Sequence, residues 1–249
     1  MRPAMSAIPS STNLSNMNLR PSVLVFDVNE TLLDLEWLGS LFERVFGEPA
    51  IVHQWFDKLV LHAMALTLAD QYTDFFAVGE AVFTMMGQAR GLETSDRDRT
   101  ELRERLGTMP AHADASVGLQ RLRDNGFRLV AFTNSPYRPD APTPLEHSGL
   151  ARFFERQLTV DDLRAFKPAV RLYRDAAAKL DVDASTCMMV AAHNWDLWGA
   201  HSAGMRTALI TRAGVAPLVG ADIPGPSLVT KDVVELAAAM EHWPARHPG

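Results

Sequence analysis

The sequence predicts an α/β fold, a doubly wound parallel sheet with an inserted helical cap subdomain, and three observations carry that prediction. Short, wholly apolar runs such as Val23-Leu24-Val25-Phe26 and Cys187-Met188-Met189-Val190 have the character of strands buried on both faces. Helical patterns separate these runs, and strand-helix alternation is the mark of a parallel sheet covered on both sides. Between the first two strong strands, about 75 residues show helical periodicity alone.

Residues 1–21 read as a flexible leader, since Pro21 immediately precedes the first strand. That strand, 23–26, ends abruptly in the polar stretch Asp27-Val28-Asn29-Glu30-Thr31. A second strand, 127–132, follows the turn signal Asp124-Asn125-Gly126 and ends in Thr133-Asn134-Ser135-Pro136. A third, 187–192, ends in His193-Asn194-Trp195-Asp196. Weaker strands are expected near 156–159, 207–211 and 228–230, and helices near 114–124, 169–180, 196–203 and 231–242. In the inserted stretch, Leu35, Leu38, Phe42 and Val45 recur at helical spacing, then Val52, Trp55, Phe56, Leu59, Val60 and Ala63, then Phe75, Gly79, Val82 and Met86. The expected organisation is therefore a core domain of 22–34 and 111–249 with a cap of 35–110. Ligands of doubly wound sheets gather beyond the carboxyl ends of the strands, so the three polar clusters are expected to meet.

Composition narrows the function. Hydrophobic residues make up 47% and charged residues 22%, an ordinary globular balance. A net charge of −6 with no basic block argues against nucleic-acid binding, and an anionic substrate would need a locally positive pocket. No apolar run approaches the roughly 20 residues of a membrane span. Cys187 is the single cysteine, which excludes an internal disulfide and fits a cytoplasmic location; its apolar neighbours assign it to the core.

The polar clusters carry a pattern. Phe26-Asp27-Val28-Asn29-Glu30-Thr31-Leu32-Leu33-Asp34 resembles the first motif of the haloacid dehalogenase superfamily, an apolar strand followed by Asp-x-x-x-Thr-Leu. Thr133-Asn134 resembles the second motif, Lys167-Pro168 the third and Asp196 the fourth, in the family's order. The resemblance implies a Rossmann-like core and Asp27 as a covalent nucleophile. A carboxylate must stay ionised and be held close to its target to act so, and Lys167 would lower its pKa and offset the substrate's charge. Thr31 and Thr133 would orient oxygens, Asn134 would add an amide donor, and Asp196 would position or activate the water that hydrolyses the ester.

Two departures decide which reaction is expected. Phosphatases of the superfamily carry an acid two residues after the nucleophile and another four residues before the carboxylate matching Asp196; here those positions are Asn29 and Ala192. Asn29 cannot deliver a proton, and magnesium prefers oxygen ligands with carboxylate charge. The (S)-2-haloacid dehalogenases need neither acid, because halide leaves without a proton. Tyr173, six residues after Lys167, and Trp195-Asp196 also follow their pattern. This chain differs from them at Asn29, where they carry tyrosine, and at Ala191 and His193, where they carry serine and asparagine. Their halide-binding cap arginine matches Phe56, with Lys58 or His62 as substitutes that reach the same space.

The expectation is a cofactor- and metal-free hydrolytic dehalogenase of short 2-haloalkanoic acids. Its substrate pocket would be lined by Asn29, Phe56, Thr133, Asn134, Tyr173 and His193. Two alternatives stay open: the same aspartyl-ester chemistry on another substrate, including a residual phosphatase, and a catalytically silent binding protein. A homodimer through the apolar cap helices is one arrangement the resemblance allows.

Overall fold

Six strands, β1 (Val23–Phe26), β2 (Arg128–Thr133), β3 (Arg156–Thr159), β4 (Cys187–Ala191), β5 (Arg206–Ile210) and β6 (Leu228–Thr230), form one parallel sheet in the order β3-β2-β1-β4-β5-β6. This computed structural model describes residues 20–243. The central strands β1 and β4 are buried along their whole length, as their continuous apolar sequence requires. β5 begins one residue earlier than its apolar pattern suggests. Arg206 joins the strand by pairing with Met188 of β4, and its guanidinium donates to the Ser185 carbonyl at 2.6 Å.

The chain runs outward from β1 to β3, then returns beside β1 and runs outward again from β4 to β6. The reversal leaves a crevice at the carboxyl ends of β1 and β4, the place where such sheets bind ligands. Phe26 pairs with Val190, and the Asp27 amide donates to the Val190 carbonyl at 2.9 Å. The ladder therefore holds the backbone of Asp27 at the rim of that crevice.

Helices α1 (Gly39–Phe46), α2 (Ile51–Leu68), α3 (Phe75–Ala89) and α4 (Asp96–Gly107) make the inserted cap. It leaves and rejoins the core through neighbouring segments: Leu33 bridges Ala111, Asp34 N donates to Pro110 O, and His112 N donates to Leu32 O, each at 2.9 Å. Its centre is aromatic, with the rings of Phe42, Phe46, Trp55 and Phe83 packed at centroid distances of 5.1–5.5 Å. α4 escaped the apolar pattern because it buries only Leu102 and Leu106 among its hydrophobics. A reciprocal Ser95–Asp98 capping box starts it, and Arg44 holds Asp98 at 2.6 Å.

Helices α5 (Ala115–Asp124), α6 (Pro144–His147), α7 (Val170–Lys179), α8 (Asn194–Ser202) and α9 (Val233–Glu241) accompany the sheet. Of the expected leader, Arg20 and Pro21 are packed onto the core: Arg20 donates to the Asn125 carbonyl at 2.8 Å and lies over the Phe127 ring, and Pro21 is buried. The remainder, residues 1–19, lies outside the described residues.

α7 and α8 cross at Gly199. A Cβ there would lie 2.4 Å from a Tyr173 ring carbon and 2.7 Å from the Pro168 carbonyl oxygen. The missing side chain lets the segment after Lys167 lie directly against the helix that carries Asp196. Gly199→Ala is expected to lower stability by about 1–3 kcal/mol through overpacking. A larger loss of activity than of folded protein is also expected, measured by denaturant unfolding beside turnover.

Candidate active site

The loop after β1 bends back on itself, with Leu32 N and Leu33 N both donating to Val28 O, at 2.9 and 3.1 Å. This turn brings the Thr31 hydroxyl to Asp27, where it donates to Oδ2 at 2.7 Å. The same hydroxyl accepts from Ala192 N at 2.9 Å, tying the loop to the end of β4. Arg212, past β5, donates to the Thr31 carbonyl from Nε (3.2 Å) and Nη2 (2.8 Å) while paired with Asp114 at 2.7 Å. Backbone and side chain of Thr31 are thus both fixed.

Lys167 Nζ reaches between two carboxylates, 3.0 Å from Asp27 Oδ1 and 2.9 Å from Asp196 Oδ2. The phenol of Tyr173 donates to the other oxygen of Asp196. The lysine's own backbone N donates to Asn134 Oδ1 at 3.0 Å, which joins the loop after β2 to the segment before α7. The ring of Phe132 lies 4.7 Å from the ammonium. On the opposite flank, Asn29 donates to the Ser135 hydroxyl at 3.2 Å, and its Oδ1 is buried without a protein partner.

These groups are almost dry: the side chains of Lys167 and Asp196 are fully buried, and that of Asp27 is 7% exposed. Burial alone would depress the lysine's pKa, but the charges of Asp196 and Asp27 outweigh it and raise the value. Burial pushes the Asp196 carboxyl up, against the pull of Lys167 and with a further push from Asp27. Burial and the adjacent Asp196 charge raise Tyr173 well above the usual phenol range, so it remains a donor. The arrangement holds one carboxylate oriented at the rim of the crevice while a second is enclosed behind it.

A family model of haloacid dehalogenase-like hydrolases matches residues 21–204. The chain belongs to that family. It is 30% identical to (S)-2-haloacid dehalogenase 4A of Burkholderia cepacia, over 78% of this chain and 84% of the relative. A dehalogenase solved with an intermediate complex superposes with a TM-score of 0.80 at 25% identity, covering 89% of this chain and 97% of that one. The L-2-haloacid dehalogenase of Xanthobacter autotrophicus, with chloropropionic acid covalently bound, shares the fold at a TM-score of 0.80 and 20% identity, over 90% and 100% of the two chains.

In this haloacid dehalogenase-like hydrolase, Asp27, Thr31, Lys167, Tyr173, Asp196 and Asn134 meet in one bonded cluster, as the preceding distances describe. Asn134 accepts from Lys167 N through Oδ1, which leaves its amide N–H2 free to donate. The Thr133 hydroxyl accepts from Ser135 N at 3.0 Å and closes a turn. Phe56 reaches the site as a wall, its ring stacked on His193 at 5.6 Å. Lys58 is exposed, and His62 turns back to the Lys58 carbonyl at 2.7 Å, so neither takes the place of a cap arginine. Both face outward because α2 buries Trp55, Phe56 and Leu59 on its other side.

Sequence reading assigned no role to Ser135, Glu30, Arg212 or Gly199. Ser135 and Glu30 stand inside recognised polar clusters, whereas Arg212 and Gly199 carry no local signal because their partners are remote in sequence. Among the described residues, no group of three His, Cys, Asp or Glu side chains is placed to hold a metal ion. The ammonium itself fills the space between the two carboxylates, and Asn29 and Ala192 supply no further acid, so this donor set does not fit magnesium. Among the described residues, no helix is long and apolar enough to cross a membrane.

Lys167→Met should cost about 3–5 kcal/mol by leaving two buried carboxylates uncompensated. Adding Asp27→Asn and Asp196→Asn should recover much of that loss in denaturant unfolding. A second expectation concerns acid. Burial opposes the Asp114 charge, but Arg212 and the Val233 amide outweigh it and hold the carboxyl below its ordinary value of 3.8. A depressed folded-state pKa stabilises above the unfolded value and ceases to do so as pH falls through the folded one. Asp114→Asn should therefore melt below wild type at pH 7, and the two melting temperatures should converge as pH falls below about 3.8.

Proposed function

We propose that the chain is a hydrolytic dehalogenase of short 2-haloalkanoic acids. Asp27 attacks the halogen-bearing carbon, the carbon–halogen bond breaks with its electron pair leaving as halide, and an ester forms on Asp27. Water then attacks the ester carbonyl, returning the carboxylate and releasing the 2-hydroxy acid. The observation that carries this reading is the ammonium of Lys167, bonded at once to Asp27 and Asp196 in a nearly waterless setting. A desolvated, charge-paired carboxylate is oriented and stripped of the water that would blunt it.

The flanks of the nucleophile favour attack at carbon. Asn29 binds Ser135 as an amide and has no proton to give a leaving oxygen. Ala192 contributes only its backbone N–H, to Thr31. Halide needs no protonation, so this lack does not impede dehalogenation. Tyr173 and Lys167 occupy both oxygens of Asp196, which aligns that carboxylate as the partner of the ester-cleaving water. The identity to curated (S)-2-haloacid dehalogenases supports the same substrate class.

The test is halide release from chloroacetate, fluoroacetate and both enantiomers of 2-chloropropionate, with EDTA present. Turnover in ¹⁸O-water should place label in the Asp27 side chain, read by mass spectrometry. Asp27→Asn should lower kcat by ~10³-fold or more. Halide release from none of the substrates would sink the proposal. Magnesium-dependent phosphate release from an aryl phosphate would move the same nucleophile to a different substrate.

A further inference from the structure

We propose that His112 is a positioning residue for the nucleophile: its ring N–H holds the Glu30 carbonyl and so fixes the turn that presents Thr31 to Asp27. The inference rests on the aspartyl-ester reading above and adds to it a residue from the segment that returns from the cap.

The turn after β1 presents three consecutive carbonyls, and each is met from outside the turn. His112 Nε2 bonds the carbonyl oxygen of Glu30 at 3.0 Å. Arg212 donates to that of Thr31 from Nε and Nη2, at 3.2 and 2.8 Å. The backbone N of His112 donates to that of Leu32 at 2.9 Å. One residue therefore grips the turn on both sides, while the guanidinium holds its middle. Asp114, two positions after His112, closes the arrangement: it accepts from Arg212 Nη1 at 2.7 Å and from Val233 N at 2.8 Å.

Glu30 is the position at which such a hold matters. Its φ of 61° lies in the left-handed region, which non-glycine residues seldom adopt and which persists only where the surroundings over-determine it. The next residue is Thr31, whose hydroxyl donates to Asp27 Oδ2 at 2.7 Å and accepts from Ala192 N at 2.9 Å. Relaxation of Glu30 toward the right-handed region would rotate the Glu30–Thr31 peptide and carry that hydroxyl away from the nucleophile. A misplacement of about 1 Å at a reacting group is worth ~10²-fold in rate. His112 supplies the fixed donor against which the turn is set.

The ring acts as a neutral donor. A carbonyl oxygen only accepts, so Nε2 carries the hydrogen. Burial and the charge of Arg212 hold the imidazole below its ordinary value of 6.5, against the Glu30 bond and the carboxylates of Asp34 and Asp114. Neutrality lets His112 and Arg212 lie beneath adjacent carbonyls without setting two cations side by side. Phenylalanine would fill the same space and leave the Glu30 carbonyl without its donor. Glutamine, by contrast, carries an amide N–H at nearly the reach of Nε2.

The test is single-turnover alkylation of Asp27 by chloroacetate with enzyme in excess, read by mass spectrometry after rapid quenching, beside steady-state kcat and KM. His112→Phe should slow alkylation about tenfold or more and leave KM within about twofold, because contacts to substrate are untouched. His112→Gln should restore alkylation to within about threefold of wild type by returning the hydrogen bond. Leucine at this position removes the donor at smaller volume and carries the same test if the phenylalanine variant does not fold. Hydrogen–deuterium exchange gives a readout that needs no turnover. The Leu32 and Leu33 amides, which bond Val28 O, should exchange faster in His112→Phe and regain protection in His112→Gln. Alkylation as fast as in wild type, or a loss carried wholly by KM, overturns the proposal and leaves the Asp27 ester intact. Absence of any Asp27 adduct in wild type overturns the ester reading instead, and unchanged exchange in His112→Phe then overturns the hold on the turn as well.

Discussion

The ammonium of Lys167 is the constraint around which this molecule is arranged. It carries no solvent-exposed side-chain surface and stands within 3.0 Å of both Asp27 and Asp196. Removing such ions from water costs several kcal/mol each, and only close opposite charge and full hydrogen bonding offset that. Every neighbouring element contributes to meeting this condition. Asn134 holds the lysine backbone, Thr31 and Tyr173 complete the two carboxylates, and Phe132 supplies a ring beneath the charge. A small-residue contact at Gly199 lets the two helices approach closely enough for that closure.

The same constraint makes the site directional. Asp196 is fully enclosed, whereas the side chain of Asp27 retains 7% exposure. One carboxylate therefore stands at the rim of the crevice and the other is closed off behind it. The cap completes the enclosure by bringing Phe56 against His193, and it is anchored away from its hinge as well: Phe166 N donates to Thr67 at 2.8 Å, and Arg138 pairs with Asp74 at 2.9 Å. For the proposed reaction such a cover would keep water from competing for both nucleophile and leaving group.

Much of this was legible in advance, and the reasons differ by element. Strands β1 and β4 were readable because burial on both faces demands unbroken apolar sequence, and β3 and β6 fall where their short patterns place them. Asp27, Lys167 and Asp196 were readable because their chemistry is tied to fixed places at strand and helix ends. Helix α4 was not, since its charged sequence holds through capping and ion pairs instead of an apolar stripe. Thr133 was expected to orient oxygens in the pocket, and the structure adds that its hydroxyl accepts from Ser135 N and closes a turn. Local sequence does not specify which of two nearby acceptors or donors a hydroxyl will meet.

The sequence by itself determined the alternation that makes the sheet, the insertion that makes the cap, and the identity of the groups at the strand ends. These follow from periodicity and from residue chemistry, both of which are local. Tertiary structure decided what those groups face. Arg212 grips Thr31 from 181 positions away, and Gly199 admits the Tyr173 ring at a helix crossing. Phe56 supports a histidine, and Glu30 turns inward on a left-handed backbone. Such pairings depend on how close two packed surfaces come, a property of the folded whole that no window of sequence contains.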